Sequence, residues 1–276
     1  MSQYVGKVSI IMLTYNNWRL IEDAILSVYE QSYKDIELII SDDGTLDFDL
    51  NYVNKILSQP KNKTLKFLVL ANKDNEGTVK NFNSAIRKAT GDLIIPLSAD
   101  DSFSDSNVVS DIVHEFNIRK CKILTGLRKP INATKYTKAL PEIKNRKYFI
   151  DRNTLLYRLM VDGNFISGAA TYYHRSVFDV IGFFDEKYRL LEDYPFYIKA
   201  LSQGVDIILF EREVIKYGVE GVSTSKVKHP ALINDFKNNA LGILQDDRLT
   251  FFDKRKIFYR SFLTKNEKLT LKNLCM

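Results

Sequence analysis

The chain is poor in the residues that staple or anchor a fold from outside. It has two cysteines, too few for a disulfide framework, and neither has the spacing or the partner ligands of a zinc site. Cys121 lies in the apolar run Cys-Lys-Ile-Leu and reads as a small core residue; Cys275 is next to last. No apolar run reaches membrane-spanning length. The N-terminus lacks a charged stretch leading into a long apolar one, so an intracellular, cytoplasmic protein is expected. Internal repeats and low-complexity segments are also missing.

What is present suits an ordinary water-soluble fold. Hydrophobic residues make up 45% and charged residues 27% of 276 positions, enough for one large domain with a small appendage. The formal net charge of +6 is unevenly placed. From Phe251 to the end there are seven Lys and Arg against two Asp and Glu, and a second basic stretch runs from Arg128 to Arg152. Nucleic acid would call for a basic face with aromatics spread over the fold, so it is not the expected partner. Two local basic segments fit an anionic phosphate or a membrane surface better, with solvated surface as the plainer reading of any one lysine.

Strand and helix signals alternate through the first half. Apolar runs at Val8–Leu13, Ile36–Ile40, Leu65–Leu70, Leu93–Leu97 and Cys121–Thr125 read as strands. Between them, helical spacing marks Leu20 to Tyr29, Leu50 to Leu57, Val79 to Ala89 and Val108 to Phe116. This predicts a mostly parallel sheet flanked by helices. From Gly126 to Asp151, prolines and lysines break the alternation and predict a long irregular excursion. Beyond it come a helix over Asn153–Val161, a strand over Gly168–Tyr173, a short helix from Val177, a helix opened by Glu192-Asp193-Tyr194-Pro195, and short strands at Ile207–Phe210 and Val214–Tyr217. The chain from about Pro230 reads as helical.

Three strands end in polar clusters on one edge: Thr14-Tyr15, Asp42-Asp43 and Asp100-Asp101. In open sheets that edge is where ligands bind. Adjacent carboxylates repel, and a divalent cation beside a nucleotide phosphate would relieve the repulsion at Asp100 and Asp101. Helix capping by Asp100, Asp101 or Ser102 accounts for the same stretch equally well.

The ordered set Thr14-Tyr15-Asn16, Asp42-Asp43-Gly44-Thr45, Asn75-Glu76-Gly77, Ala89-Thr90-Gly91-Asp92, Ser98-Ala99-Asp100-Asp101 and Glu192-Asp193 resembles the family 2 glycosyltransferases. The resemblance spans roughly Val8 to Ser223 and rests on six individually weak motifs in the right order. It implies a GT-A fold with a Rossmann-like nucleotide-binding half over 1–125, an acceptor-binding half over 126–228 and a helical C-terminal appendage over 229–276. It further implies an inverting, metal-dependent enzyme. Such an enzyme would move a hexose or N-acetylhexosamine from a UDP-sugar to a hydroxyl of a glycan or lipid-linked glycan, in bacterial surface polysaccharide assembly.

Carried over position by position, the resemblance gives each motif a role. Tyr15 would pack on the base, flanked by Thr14 and Asn16. Asp42 would accept a hydrogen bond from the uracil ring, with Asp43 either joining it or only shaping the turn. Asp100 and Asp101 would hold Mn2+ or Mg2+ against the diphosphate. Asp193 would be the general base and Glu192 would orient it; a helix cap is the plainer reading of Asp193. The sequence departs from the family pattern in three places. Ser98 replaces the usual first aspartate of the metal element. No histidine follows the last strand in Tyr217–Ser223, so Glu220 is the substitute metal ligand and His229 a surface residue. Phe82 stands where an arginine is common, which leaves Lys80 to face the phosphates.

Two other classes fit parts of this pattern. A non-catalytic nucleotide-sugar-binding protein would keep the Tyr15 and Asp42 pocket without needing Asp193. A sugar nucleotidyltransferase would share sheet and metal, but would want a Gly-rich basic loop where Thr14-Tyr15-Asn16-Asn17 stands. At the C-terminus, Phe251, Phe252, Ile257, Phe258, Phe262 and Leu263 alternate with cations in no clean stripe. That segment is expected to lie peripherally on an anionic bilayer, to pack on the catalytic domain, or to join a second copy in a homo-oligomer.

Overall fold

The computed structural model describes residues 4–58, 65–130, 139–218 and 228–264, together with 266–268 and 270. In chain order the elements are β1 (Val8–Thr14), α1 (Ile21–Tyr29), β2 (Ile36–Asp42), α2 (Leu50–Leu57), β3 (Lys66–Ala71), α3 (Thr78–Lys88), β4 (Leu93–Ser98), β5 (Ser102–Phe103) and α4 (Val108–Arg119). Then follow β6 (Ile123–Pro130), α5 (Ile143–Arg146), α6 (Arg152–Asp162), β7 (Thr171–His174), α7 (Ser176–Ile181), α8 (Asp193–Ser202), β8 (Ile207–Tyr217), α9 (Pro230–Leu244) and α10 (Phe251–Phe262).

The eight strands form one sheet in the order β3-β2-β1-β4-β7-β6-β8-β5. From β3 to β4 every pairing is parallel, in the nucleotide-binding arrangement that the alternating pattern predicts. Beyond β4 the sheet is mixed: β7 runs antiparallel to both β4 and β6, while β6 and β8 are parallel. The two short strands expected over Ile207–Tyr217 are one continuous β8, with its register to β6 shifted between Thr125 and Arg128. β6 itself runs on to Pro130, so the irregular excursion starts later than its composition suggests. Residues 131–138 of that excursion lie outside the described residues.

Period-two alternation along each strand divides the core. Ile10 and Met12 of β1 face α1, α2 and α4 through Ile21, Ile25, Val53 and Ile112. Ile11 faces the other layer, with Phe82 of α3, Leu159 of α6, Tyr197 of α8 and Ile257 of α10. α9 and α10 add Leu232, Ala240, Ile243 and Ile257 to this second core. Helix ends are set locally. Asp49 accepts from the Tyr52 amide, and Asp151 accepts from the Thr154 amide. Thr250 and Asp253 form a reciprocal capping box at the start of α10. No helix among the described residues is long and apolar enough to cross a membrane.

Candidate active site

The carboxyl ends of β1, β2 and β4 open onto a cleft of about 1360 Å3, roomy enough for a nucleotide-sugar. Its floor comes from Leu13, Thr14, Pro96, Leu97 and Ser98, and Tyr15 stands on its rim, 44% exposed. The far wall is built by β6, the loop after α6, the start of α8 and the start of α9.

Asp100 and Asp101 follow β4 directly. The Ser98 hydroxyl donates to Asp100 Oδ1 at 2.6 Å, so the residue in place of an aspartate orients the acid that remains. Asp101 is 2% exposed; its Oδ1 accepts from the Gly218 amide at 2.8 Å, while its Oδ2 is buried without a partner among the described residues. Burial, and then the neighbouring Asp100 charge, push the Asp101 carboxyl up to about 8. Gly218 has no side chain because one would collide with the Asp100 carboxylate 2.6 Å from its Cβ position. An orphaned buried carboxylate oxygen beside a second acid suits a hard divalent cation, which would supply the missing positive charge. Among the described residues no three His, Cys, Asp or Glu side chains could hold a metal by themselves, so further ligands must come from outside that set.

Asp193 opens α8 at the opposite end of the chain's motif set. It is partly buried on the cleft wall, with Oδ2 accepting from Asn164 Nδ2 at 3.1 Å and Oδ1 from the Tyr194 amide at 2.6 Å. A Cβ on Gly168 would stand 3.2 Å from Asp193 Oδ2, so a side chain there would press on the acid and displace it slightly. Glu192 lines the same wall. Burial raises both carboxyls well above the ordinary range, and the Asp193 charge raises Glu192 further by like-charge repulsion. Glu192 holds the position before the helix and makes no side-chain cap, while Asp193 takes up the Tyr194 amide of the first turn and still has Oδ2 on the cleft side with Asn164. Arg128, at the end of β6, stacks its guanidinium 4.1 Å from the Tyr217 ring centroid. Its charge reaches both Asp101 and Asp193 and opposes the rise of each.

The glycosyl transferase family 2 model matches residues 9–182, well over half of the chain. The chain belongs to glycosyl transferase family 2. An uncharacterized glycosyltransferase of Haemophilus influenzae is 26% identical over 243 residues, 86% of this chain and 91% of that one. Among solved structures, S. aureus TarS 1-349 in complex with UDP-GlcNAc superposes with a TM-score of 0.66 at 20% identity, covering 97% of this chain and 76% of that one. The longer TarS chain is covered to 46%. The mannosyltransferase PcManGT from Pyrobaculum calidifontis, in complex with GDP-Man and Mn2+, gives 0.59 at 14% identity, covering 98% and 79%. These likenesses show the GT-A fold of this glycosyltransferase.

The expected site residues fare differently in this fold. Thr14, Tyr15, Asp43, Asp100, Asp101, Glu192 and Asp193 meet on the one cleft. Asp42 does not. It is 1% exposed, and Thr45 occupies both its oxygens, the amide at 2.7 Å and the hydroxyl at 2.8 Å. Asp43 takes the cleft position instead, braced by the Glu76 and Gly77 amides at 3.0 and 2.9 Å. Asn16, in a left-handed turn with φ of 59°, donates its amide to Thr45; Asn17 reaches the cleft in its place. Lys80 lies exposed on α3, off the cleft, where its charge acts on Glu186. The helical phase explains this: Phe82, two residues on, is the cleft-facing position. Glu220 lies outside the described residues.

Several cleft residues carried no warning in their local sequence. Arg128 and Arg189 supply cations to the cleft, the latter fixed by Asn75 through its carbonyl at 2.8 Å and its Oδ1 at 2.6 Å. Lys228 and His229 stand on its edge, and the His229 ring also accepts from the Ala231 amide to cap α9. His229 is therefore a surface residue of the cleft, not of the remote exterior. Asn164 and Ser167 complete the wall around Asp193.

Proposed function

We propose that this glycosyltransferase is inverting and metal-dependent, and that it transfers a hexose or N-acetylhexosamine from a UDP-sugar to a hydroxyl of a glycan or lipid-linked glycan. The observation that carries the reading is the meeting of Asp43, Asp100, Asp101 and Asp193 on one cleft. The complex of TarS with UDP-GlcNAc and that of PcManGT with Mn2+ support donor and metal by likeness of fold.

In this reading Tyr15 stacks on the uracil ring, since an exposed aromatic at the cleft rim offers a face to a base. Asp43 accepts from the imide N–H, since it lines the cleft and Asp42 does not. Asp100 and Asp101 would hold Mn2+ or Mg2+, which would supply positive charge to stabilise the departing diphosphate. Arg128 and Arg189 add cations on the same wall. Asp193 takes the proton of the acceptor hydroxyl as that oxygen attacks the anomeric carbon from the face opposite the leaving group. Its raised pKa makes it a stronger base than an exposed aspartate, and Asn164 fixes its orientation. The setting we assign is surface polysaccharide assembly on the cytoplasmic side of a bacterial membrane.

A panel of UDP-sugars, assayed for hydrolysis and for transfer with Mn2+, Mg2+ or chelator, tests the reading. Release of one sugar that depends on the cation supports it. Failure to bind any UDP-sugar with either metal overturns it. A non-catalytic binder would bind the donor and release nothing.

A further inference from the structure

The last helix wears its apolar side outward. The inner side of α10 buries Ile257 completely and turns Asp253 toward Thr250 and the Tyr157 hydroxyl, which donates at 2.8 Å. Arg260 folds back to donate to the Val161 and Met160 carbonyls of α6. Lys256 pairs with Asp162 at 2.7 Å. These contacts anchor the helix, and both nearby acids are used up in them.

The outer side is aromatic. Phe251, Phe252, Phe258 and Tyr259 are 74%, 75%, 49% and 40% exposed. Phe251, Arg255 and Phe258 recur at helical spacing along one stripe, flanked by Phe252 and Tyr259, while Phe262 at its end packs partly against the core. Phe258 and Phe262 stack with centroids 5.1 Å apart, and Phe251 and Phe252 meet edge to face at 5.9 Å. Arg255 stands exposed within the stripe. The stripe that the bare residue pattern does not reveal emerges once Ile257 and Asp253 are known to point inward.

We propose that this face of α10 docks on an anionic membrane surface, with the helix lying in the plane of the headgroups. Exposed phenyl rings in contact with water are costly, and lipid headgroup regions take them up. Charge selects the occupant. From Phe251 onward the sequence carries seven Lys and Arg against two acids; with Lys256 and Arg260 held inward, the excess that remains, Arg255 on the stripe included, attracts an anionic leaflet. A second copy of the same face would instead bring like charges together. The helix has 12 residues, so at 1.5 Å per residue it spans roughly 18 Å, too short to cross a bilayer and suited to lying along one. The inference goes beyond the proposed donor and acceptor and does not depend on either.

Co-sedimentation of the full chain with extruded vesicles tests it. The vesicles are phosphatidylcholine alone, or phosphatidylcholine with a third of phosphatidylglycerol, each in low and in high salt. The wild type is expected to bind the anionic vesicles at least about tenfold more tightly than the neutral ones, with the difference shrinking in high salt. The triple variant Phe251→Ser, Phe252→Ser, Phe258→Ser should lose about a hundredfold in partition, and Arg255→Glu about tenfold. Both should keep the wild-type circular dichroism spectrum and melting temperature, because none of these side chains is in the core. Equal binding to both vesicle types, no binding, or full binding by the triple variant overturns the proposal. So does a wild-type dimer in light scattering that the triple variant converts to a monomer, since a second copy would then be the occupant.

Discussion

The two sides of the cleft are built on different plans. On one side, which the proposed function gives to the donor, β1, β2 and β4 run parallel, and each delivers polar residues at or just after its end: Thr14-Tyr15, Asp43, and Asp100-Asp101. On the other side, single residues arrive from separate elements: Arg128 from β6, Asn164 after α6, Arg189 and Asp193 around the start of α8, and His229 ahead of α9. A regular sheet edge collects contiguous motifs. A mixed sheet with packed helices collects isolated side chains, each positioned by tertiary contacts.

Variants can break or sharpen this contrast. The largest effect belongs to the donor side. Replacing Asp100 and Asp101 together by Ala should lower turnover by about a thousandfold or more and remove the response to added Mn2+, read by donor hydrolysis. Next comes the pH profile on the opposite wall. Burial raises the Asp193 carboxyl, and the base must be deprotonated to act, so kcat should rise with pH along a limb above the ordinary carboxylate range. Glu192, pushed up to about 8 by burial and by Asp193, stays protonated over that limb, so Glu192→Gln should leave it within about half a unit of wild type. Gly168→Ala should lower kcat about tenfold with little change in melting temperature, because its methyl would push on the Asp193 carboxylate.

The smallest effects separate neighbours. Asp43→Asn should raise the KM for a UDP-sugar about tenfold. Asp42→Asn should leave KM within about twofold and cost about 1 kcal/mol of stability, since it disturbs the bonds to Thr45. Lys80→Ala should change neither quantity measurably, as an exposed side chain off the cleft.

The same contrast explains what could be read in advance. β1 announces itself as an apolar run followed by Thr-Tyr-Asn, and β2 and β4 as apolar runs followed by acids, so this polar sheet edge is visible in the residue order alone. The choice between Asp42 and Asp43 is not, because adjacent residues leave a strand end on opposite sides, and only the folded loops around them, Thr45 on one side and Glu76-Gly77 on the other, decide which lines the cleft. β8 reads as two strands because Glu211, Arg212 and Glu213 interrupt its apolar pattern where the register with β6 slips. Arg128 hides in a basic run, and nothing in its neighbours tells that it stacks on Tyr217, far along the chain. His229 sits beyond the recognisable motifs, and α9 brings it back. Asp193 was legible as an acid at a helix start, whereas its partner Asn164 and the bare backbone at Gly168 were not.

The central claim is that Asp193 is the base that completes a site whose donor half is independent of it. The direct measurement is Asp193→Asn, followed by turnover with the preferred UDP-sugar and by calorimetric binding of that donor. The account predicts a turnover loss of about a thousandfold or more with donor affinity within about threefold of wild type. Near-normal turnover, or loss of donor binding in step with activity in a folded variant, would contradict it.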